Sequence, residues 1–182
     1  MKKTRNAARP RGRATLLLAA AMTALLSIAA CSSSDKQYMI PDSLCGIKVP
    51  QDVLKAVLPN GEELKERPES SGGTKRCRIH VDGESVLSTS TEHWEDETTA
   101  SDVAQSALGV DPQDQRSDAG RYIYSSTGAV GKVNCAQADK AHEPLWASVR
   151  VTHDDAQDAD MLKLIKAYAE AVGSSQACTQ TH

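Results

Sequence analysis

The residue whose type and position most plainly imply chemistry is Cys31, because Ile28, Ala29 and Ala30 stand directly before it. A head containing Lys2, Lys3, Arg5, Arg9, Arg11 and Arg13 carries no acid, and residues 14–30 follow without a charge. A basic head, an apolar stretch and small residues at a cleavage point are the parts of an export signal. A cysteine just past that point offers its thiol to a diacylglyceryl group. The expectation is therefore a lipoprotein signal peptide over residues 1–30 and a lipidated Cys31 as the first residue of the mature chain. Two or more acyl chains, at about 0.8 kcal/mol per buried methylene, hold a protein stably on a membrane. The competing reading is a retained transmembrane helix, since the apolar run approaches the roughly 17 residues needed to span a bilayer. Its many alanines and the small pair before Cys31 suit a peptidase pocket better than a bilayer core.

Four further cysteines, Cys45, Cys77, Cys135 and Cys178, make an even number in a chain expected outside the cytoplasm, and so are expected in two disulfides. Four cysteines allow three pairings. Cys45 with Cys77 and Cys135 with Cys178 is favoured, because each bond then staples a helical segment to a strand in its own half of the chain. In the chain-entropy view, loops of this length contribute on the order of 4 kcal/mol each. No Cys-x-x-Cys is present, so a thioredoxin-type role and a zinc ribbon lack their spacing.

Other chemistry-bearing patterns are incomplete. Gly83-Glu84-Ser85 begins like a hydrolase elbow but lacks the closing glycine and falls in an expected hairpin. Ser33 and Lys36 have Ser-x-x-Lys spacing, yet they sit in a polar tether. Gly128-Ala129-Val130-Gly131-Lys132 is too short for a phosphate loop, and Val133 stands where a Ser or Thr would bind magnesium. His142-Glu143 has Trp146 where a zinc protease has its second histidine. His93 with Glu95, Asp96 and Glu97, and His153 with Asp154 and Asp155, are better read as acids preceding helices, where they complement exposed amides, than as metal ligands. No catalytic residue, metal ligand or cofactor is assigned. Trp94 and Trp146 are the candidate ligand-binding residues, since Trp146 alternates away from the apolar face of its strand and an aromatic pair there makes a binding platform.

Removing residues 1–30 from 182 leaves 152, the size of one ordinary domain. The head takes six basic residues and no acid with it, so 21 Lys plus Arg fall to 15 against 24 Asp plus Glu, a net of −9. A surface of that charge repels nucleic acid and anionic headgroups, which argues against a nucleic-acid partner and leaves membrane binding to the anchor on Cys31.

The elements that must position these residues follow from hydrophobic period. Pro50 with Val53, Leu54, Val57 and Leu58 predicts a short helix stopped at Pro59-Asn60-Gly61, and residues 62–74 read as a charged connection. Cys77, Ile79 and Val81 alternate with Arg76, Arg78 and His80 in a strand, Asp82-Gly83 is a hairpin signal, and residues 86–91 return. A helix over residues 98–108 has Thr99 and Asp102 at capping-box spacing and Gly109 as its stop; residues 111–120 read as a polar loop. Residues 121–125, 129–135 and 145–151 are strand candidates, and a last helix over 158–172 buries Met161, Leu164, Ile165, Tyr168 and Val172. The order strand, strand, helix thus occurs in each half, as either a weak duplication or ordinary alternation. The expected fold is α+β: an antiparallel sheet of about five strands with about three helices mainly on one face, braced by two disulfides. Its organisation is a signal peptide over 1–30, a lipidated N-terminus and tether over 31–44, and the folded domain over 45–182.

Tyr38-Met39-Ile40-Pro41-Asp42-Ser43-Leu44-Cys45-Gly46, a short helix ending Val57-Leu58-Pro59-Asn60-Gly61, and then a cysteine on a strand resemble the small actinobacterial lipoproteins. In architecture the mature chain is also distantly similar to extracellular sensor domains of actinobacterial membrane kinases. Neither family supplies catalytic residues, and the resemblance implies an envelope binding or sensing role. The expected function is a non-enzymatic, lipid-anchored binding or interaction module on the outer face of the cell membrane, with a protein or small ligand as partner. The alternative is an envelope hydrolase whose site follows no known motif.

Overall fold

Main-chain pairing between Leu64 and Val151 builds one long antiparallel sheet in the computed structural model, which describes residues 35–135 and 143–178. Its strands are β3 (Leu64–Ser71), β4 (Thr74–Val81), β5 (Glu84–His93), β6 (Gln115–Ser117), β7 (Tyr122–Tyr124), β8 (Gly128–Lys132) and β9 (Leu145–Val151). They lie in the order β3-β4-β5-β9-β8-β7-β6, so two meanders meet where β5 pairs antiparallel with β9. A two-stranded hairpin, β1 (Ser43–Leu44) and β2 (Ile47–Lys48), precedes helix α1 (Gln51–Val57); helix α2 (Ala100–Ser106) follows β5, and helix α3 (Asp158–Gly173) follows β9. A 3₁₀ turn over Gln176–Cys178 follows α3. The fold is α+β, as expected.

The period of two decides which helix covers which face. Cys77, Ile79, Val81, Leu87, Ala129, Leu145, Ala147, Val149 and Val151 point to the inner face, where Leu54 and Val57 of α1 and Met161, Leu164, Ile165, Tyr168 and Val172 of α3 complete the main core. The alternate residues Ile123, Val130 and Trp146 point outward and are covered by Ala100, Val103 and Ala104 of α2. Two helices thus share one face and α2 takes the other. Thr99 caps α2 as its spacing predicts, its side chain accepting from the Asp102 amide while its own amide donates to the Asp102 carboxylate at 2.8 Å.

The disulfides are Cys45–Cys77, tying the β1–β2 turn to β4, and Cys135–Cys178, tying the segment after β8 to the 3₁₀ turn. Asp82 and Gly83, at φ of 51° and 88°, make the tight turn of the β4–β5 hairpin, a backbone that Asp-Gly adopts at low cost.

Three segments differ from the sequence reading. Residues 62–74 are not a connection; they supply β3 and the β3–β4 turn. An edge strand exposes both faces, so Lys65, Arg67, Pro68 and Glu69 show no apolar alternation; its ladder bonds to β4 hold it, and an edge tolerates proline and charge. Within the supposed loop of residues 111–120, β6 pairs with β7 for three residues. The folded domain also begins before Cys45: Lys36 bridges Gly61, the Gln37 amide donates to the Gly61 carbonyl at 2.8 Å, and the Tyr38 hydroxyl donates to the Pro59 carbonyl. The main sheet therefore has seven strands where about five were expected.

Candidate functional site: a cationic groove on the outer sheet face

Strand register assembles the site. Arg78 on β4, Ser88 on β5 and Arg150 on β9 lie at one level of the outer face, and Arg76, Ser90 and Ser148 lie at the next. Adjacent strands are about 4.8 Å apart, so Arg78 and Arg150 flank Ser88 from backbones about 10 Å apart, within easy reach of two extended guanidinium arms. Arg67 on β3 stands directly opposite Arg78, and a like-charge pair in that position is destabilising on its own. The Ser90 and Ser148 hydroxyls share a 2.7 Å hydrogen bond, and Ser90 also faces the Glu92 carboxylate at 3.5 Å. Arg78 pairs with Glu69 at 3.1 Å, with the two side chains 41 % and 43 % exposed. Arg76 and Arg150 form no ion pair among the described residues.

The end of α2 turns this floor into a groove of about 440 Å³. Val103, Leu108, Trp94 and Trp146 form its apolar side, with Leu108 69 % exposed at the rim. The position of that rim is fixed from below: the Gly109 carbonyl accepts hydrogen bonds from the Ser125 hydroxyl at 3.1 Å and the Thr127 hydroxyl at 2.6 Å. Gly109 has a φ of +84°, and a Cβ there would come within 3.0 Å of Arg150 Cγ, so the glycine gives the Arg150 stem its passage beside the helix end. The volume falls in the range of small-molecule sites. Guanidiniums and hydroxyls are donors, and a cluster of them along a groove with one carboxylate suits an anion.

Trp146 does point outward, as its alternation predicts, but only 3 % of it is exposed, because α2 lies over it. Lys132, its register partner, holds Nζ 6.0 Å from the Trp146 ring centroid. Trp94 is half-buried against the same cluster. The two rings are brought to one groove as part of its wall, not as an open aromatic platform. The arginines were visible in sequence as outward-facing residues; their convergence depends on the β5–β9 pairing, which no local pattern reveals.

The remaining candidates are placed elsewhere. Gly131 lies in β8, where the Tyr122 ring occupies the space of a side chain. His153 donates from Nε2 to the Val57 carbonyl at 2.8 Å, and its Nδ1 accepts the Asp155 amide at 3.3 Å, a role in joining α1 to the β9–α3 loop. His93 Nδ1 lies 3.2 Å from the Glu143 carbonyl. Among the described residues, the cluster with metal-ligand chemistry is Cys45, Glu66 and Cys77, but both sulfurs are spent in the disulfide and Glu66 accepts the Cys45 amide at 3.0 Å. Ser85 is the second residue of β5, paired with His80 beside the hairpin turn. Cys31, with the run before it, Ser33, His142 and His182 lie outside the described residues.

Compared with protein-family profiles, curated proteins and solved structures, the chain matches none.

Proposed function

We propose that this chain is an extracytoplasmic lipoprotein, held on the cell membrane through acylated Cys31, whose disulfide-braced domain is a non-enzymatic module that binds its ligand in the outer-face groove. One observation carries the binding reading: two arginines without ion-pair partners among the described residues, Arg76 and Arg150, line a concavity beside the only two tryptophans of the chain. The apolar run ending Ile28-Ala29-Ala30-Cys31 supports the location, and two disulfides suit an oxidising compartment. The likeness of residues 38–46 to small actinobacterial lipoproteins points the same way.

Fractionation of cells expressing the full chain and its Cys31→Ala variant tests the anchor. The parent is expected in the membrane fraction and the variant in the detergent-free supernatant. Unchanged membrane retention of Cys31→Ala would favour the transmembrane alternative and remove the lipid-anchor reading.

A further inference from the structure

We infer that the groove binds a small soluble phosphate ester, with its phosphoryl group held between Arg78 and Arg150 over Ser88 and its organic part lying against Trp94 and Leu108. This rests on the groove being the binding site and names the chemistry it selects.

Charge is the first reason. Arg76, Arg78 and Arg150 against Glu92 leave the groove lining two positive charges in excess, on a domain whose mature chain is strongly acidic. A phosphomonoester carries about −1.5 to −2 at neutral pH, which matches that excess; a single carboxylate would leave part of it uncompensated. The Arg78–Glu69 pair does not cancel the match, because both side chains are more than two-fifths exposed and such surface pairs are weak and readily exchanged.

Donor count is the second. Each guanidinium has five N–H donors in a fixed fork, and the half-buried Ser88 hydroxyl between them has no hydrogen-bond partner among the described residues. Three terminal phosphate oxygens accept from two guanidiniums and a hydroxyl at once, where the two oxygens of a carboxylate accept less of the set. Apolar surface is the third. Leu108 is one of two large apolar side chains that the described domain leaves exposed, and it sits on this rim. An inorganic ion would leave it bare, whereas the carbon skeleton of an ester covers it.

The two tryptophans of the chain, Trp94 and Trp146, both line the groove, so intrinsic fluorescence reads its occupancy directly. The experiment titrates the full chain, disulfides intact, with glycerol phosphate, with glycerol, and with soluble dihexanoyl phosphatidylglycerol. Glycerol phosphate is expected to give a saturable fluorescence change that glycerol does not. Its affinity should fall about tenfold or more in each of Arg150→Gln and Arg78→Gln, and stay unchanged in Lys55→Gln on the exposed side of α1. The Arg78 side chain is two-fifths exposed, so its variant leaves the fold intact even where Arg150→Gln weakens packing beside Gly109.

No phosphate-dependent change, or a change that survives both arginine substitutions, overturns the inference. A response to the lipid without one to glycerol phosphate overturns it too, by moving the site to a membrane headgroup. A response to glycerol as strong as to its phosphate overturns the anionic assignment while leaving the groove as the binding site, which separates this failure from that of the function above.

Discussion

Thr89 on β5 donates a hydrogen bond from Oγ1 to the phenol oxygen of Tyr168 on α3 at 2.9 Å, with the two side chains only 2 % and 4 % exposed. It is a buried polar link between the inner face of the sheet and α3. Tyr168→Phe leaves the Thr89 hydroxyl buried without its acceptor and is expected to cost about 1–3 kcal/mol. Thr89→Val strands the phenol in the same way. Replacing both restores an all-apolar contact, so the double variant should lose less than the sum of the singles, by about 0.5 kcal/mol or more. Urea unfolding of the oxidised protein measures the cycle; strict additivity would show that the bond carries no coupling.

Burial raises the Tyr168 pKa above the ordinary phenol value, against a smaller lowering by the Thr89 bond, and burial followed by the charge of Asp82 pushes Tyr38 up to about 12. Both shifts favour the protonated form in the folded state. Their contribution is therefore fully present below about pH 10 and is lost as pH rises from there through the folded values, because the unfolded phenols lose their protons first. Unfolding free energy measured from pH 8 to 12 should fall along an alkaline limb. Tyr38→Phe should make that limb shallower; an unchanged slope would mean that Tyr38 ionises alike in both states.

Much of the fold was legible because burial on one side leaves a period in the residues. Cys77, Ile79 and Val81, or Leu145, Ala147, Val149 and Val151, alternate since one face of each strand meets the core. The cap at Thr99 and the turn at Asp82-Gly83 were readable because local backbone geometry demands those residue types. β3 was not readable: with both faces largely in solvent, nothing selects alternating side chains, and its position is fixed by main-chain bonds to β4. The site was half legible. Alternation placed Arg76, Arg78, Arg150 and Trp146 on the outer face, but not α2 over Trp146 or Arg150 level with Arg78. Those facts depend on contacts between residues far apart in the chain, which leave no local trace. Net charge misleads here for a related reason: it sums over the whole surface, while register gathers the guanidiniums on one side of one sheet.

The disulfides close loops with sequence separations of 32 and 43 residues. In the chain-entropy model each contributes about 4 kcal/mol. Paired Cys→Ser substitution at Cys45 and Cys77, or at Cys135 and Cys178, should lower the thermal midpoint by about 10 °C in a domain of this size. Calorimetry measures the drop, and thiol labelling of the unreduced protein should find none of Cys45, Cys77, Cys135 and Cys178 free. Labelling of either pair in the folded protein would contradict the crosslinks.

Trp146 separates volume from polarity at the groove. Its ring fills the space between β9 and α2, so Trp146→Ala opens a cavity beneath Val103 and Ala104 and is expected to cost about 3–5 kcal/mol. Its indole Nε1 is buried without a hydrogen-bond partner among the described residues, a situation that itself costs about 1–3 kcal/mol. Trp146→Phe keeps most of the packing and removes that donor, so the lost volume and the relieved N–H offset one another. Its stability should lie near that of the parent and well above that of Trp146→Ala. Equal losses in the two variants by urea unfolding would mean that the indole N–H is engaged in the folded protein after all.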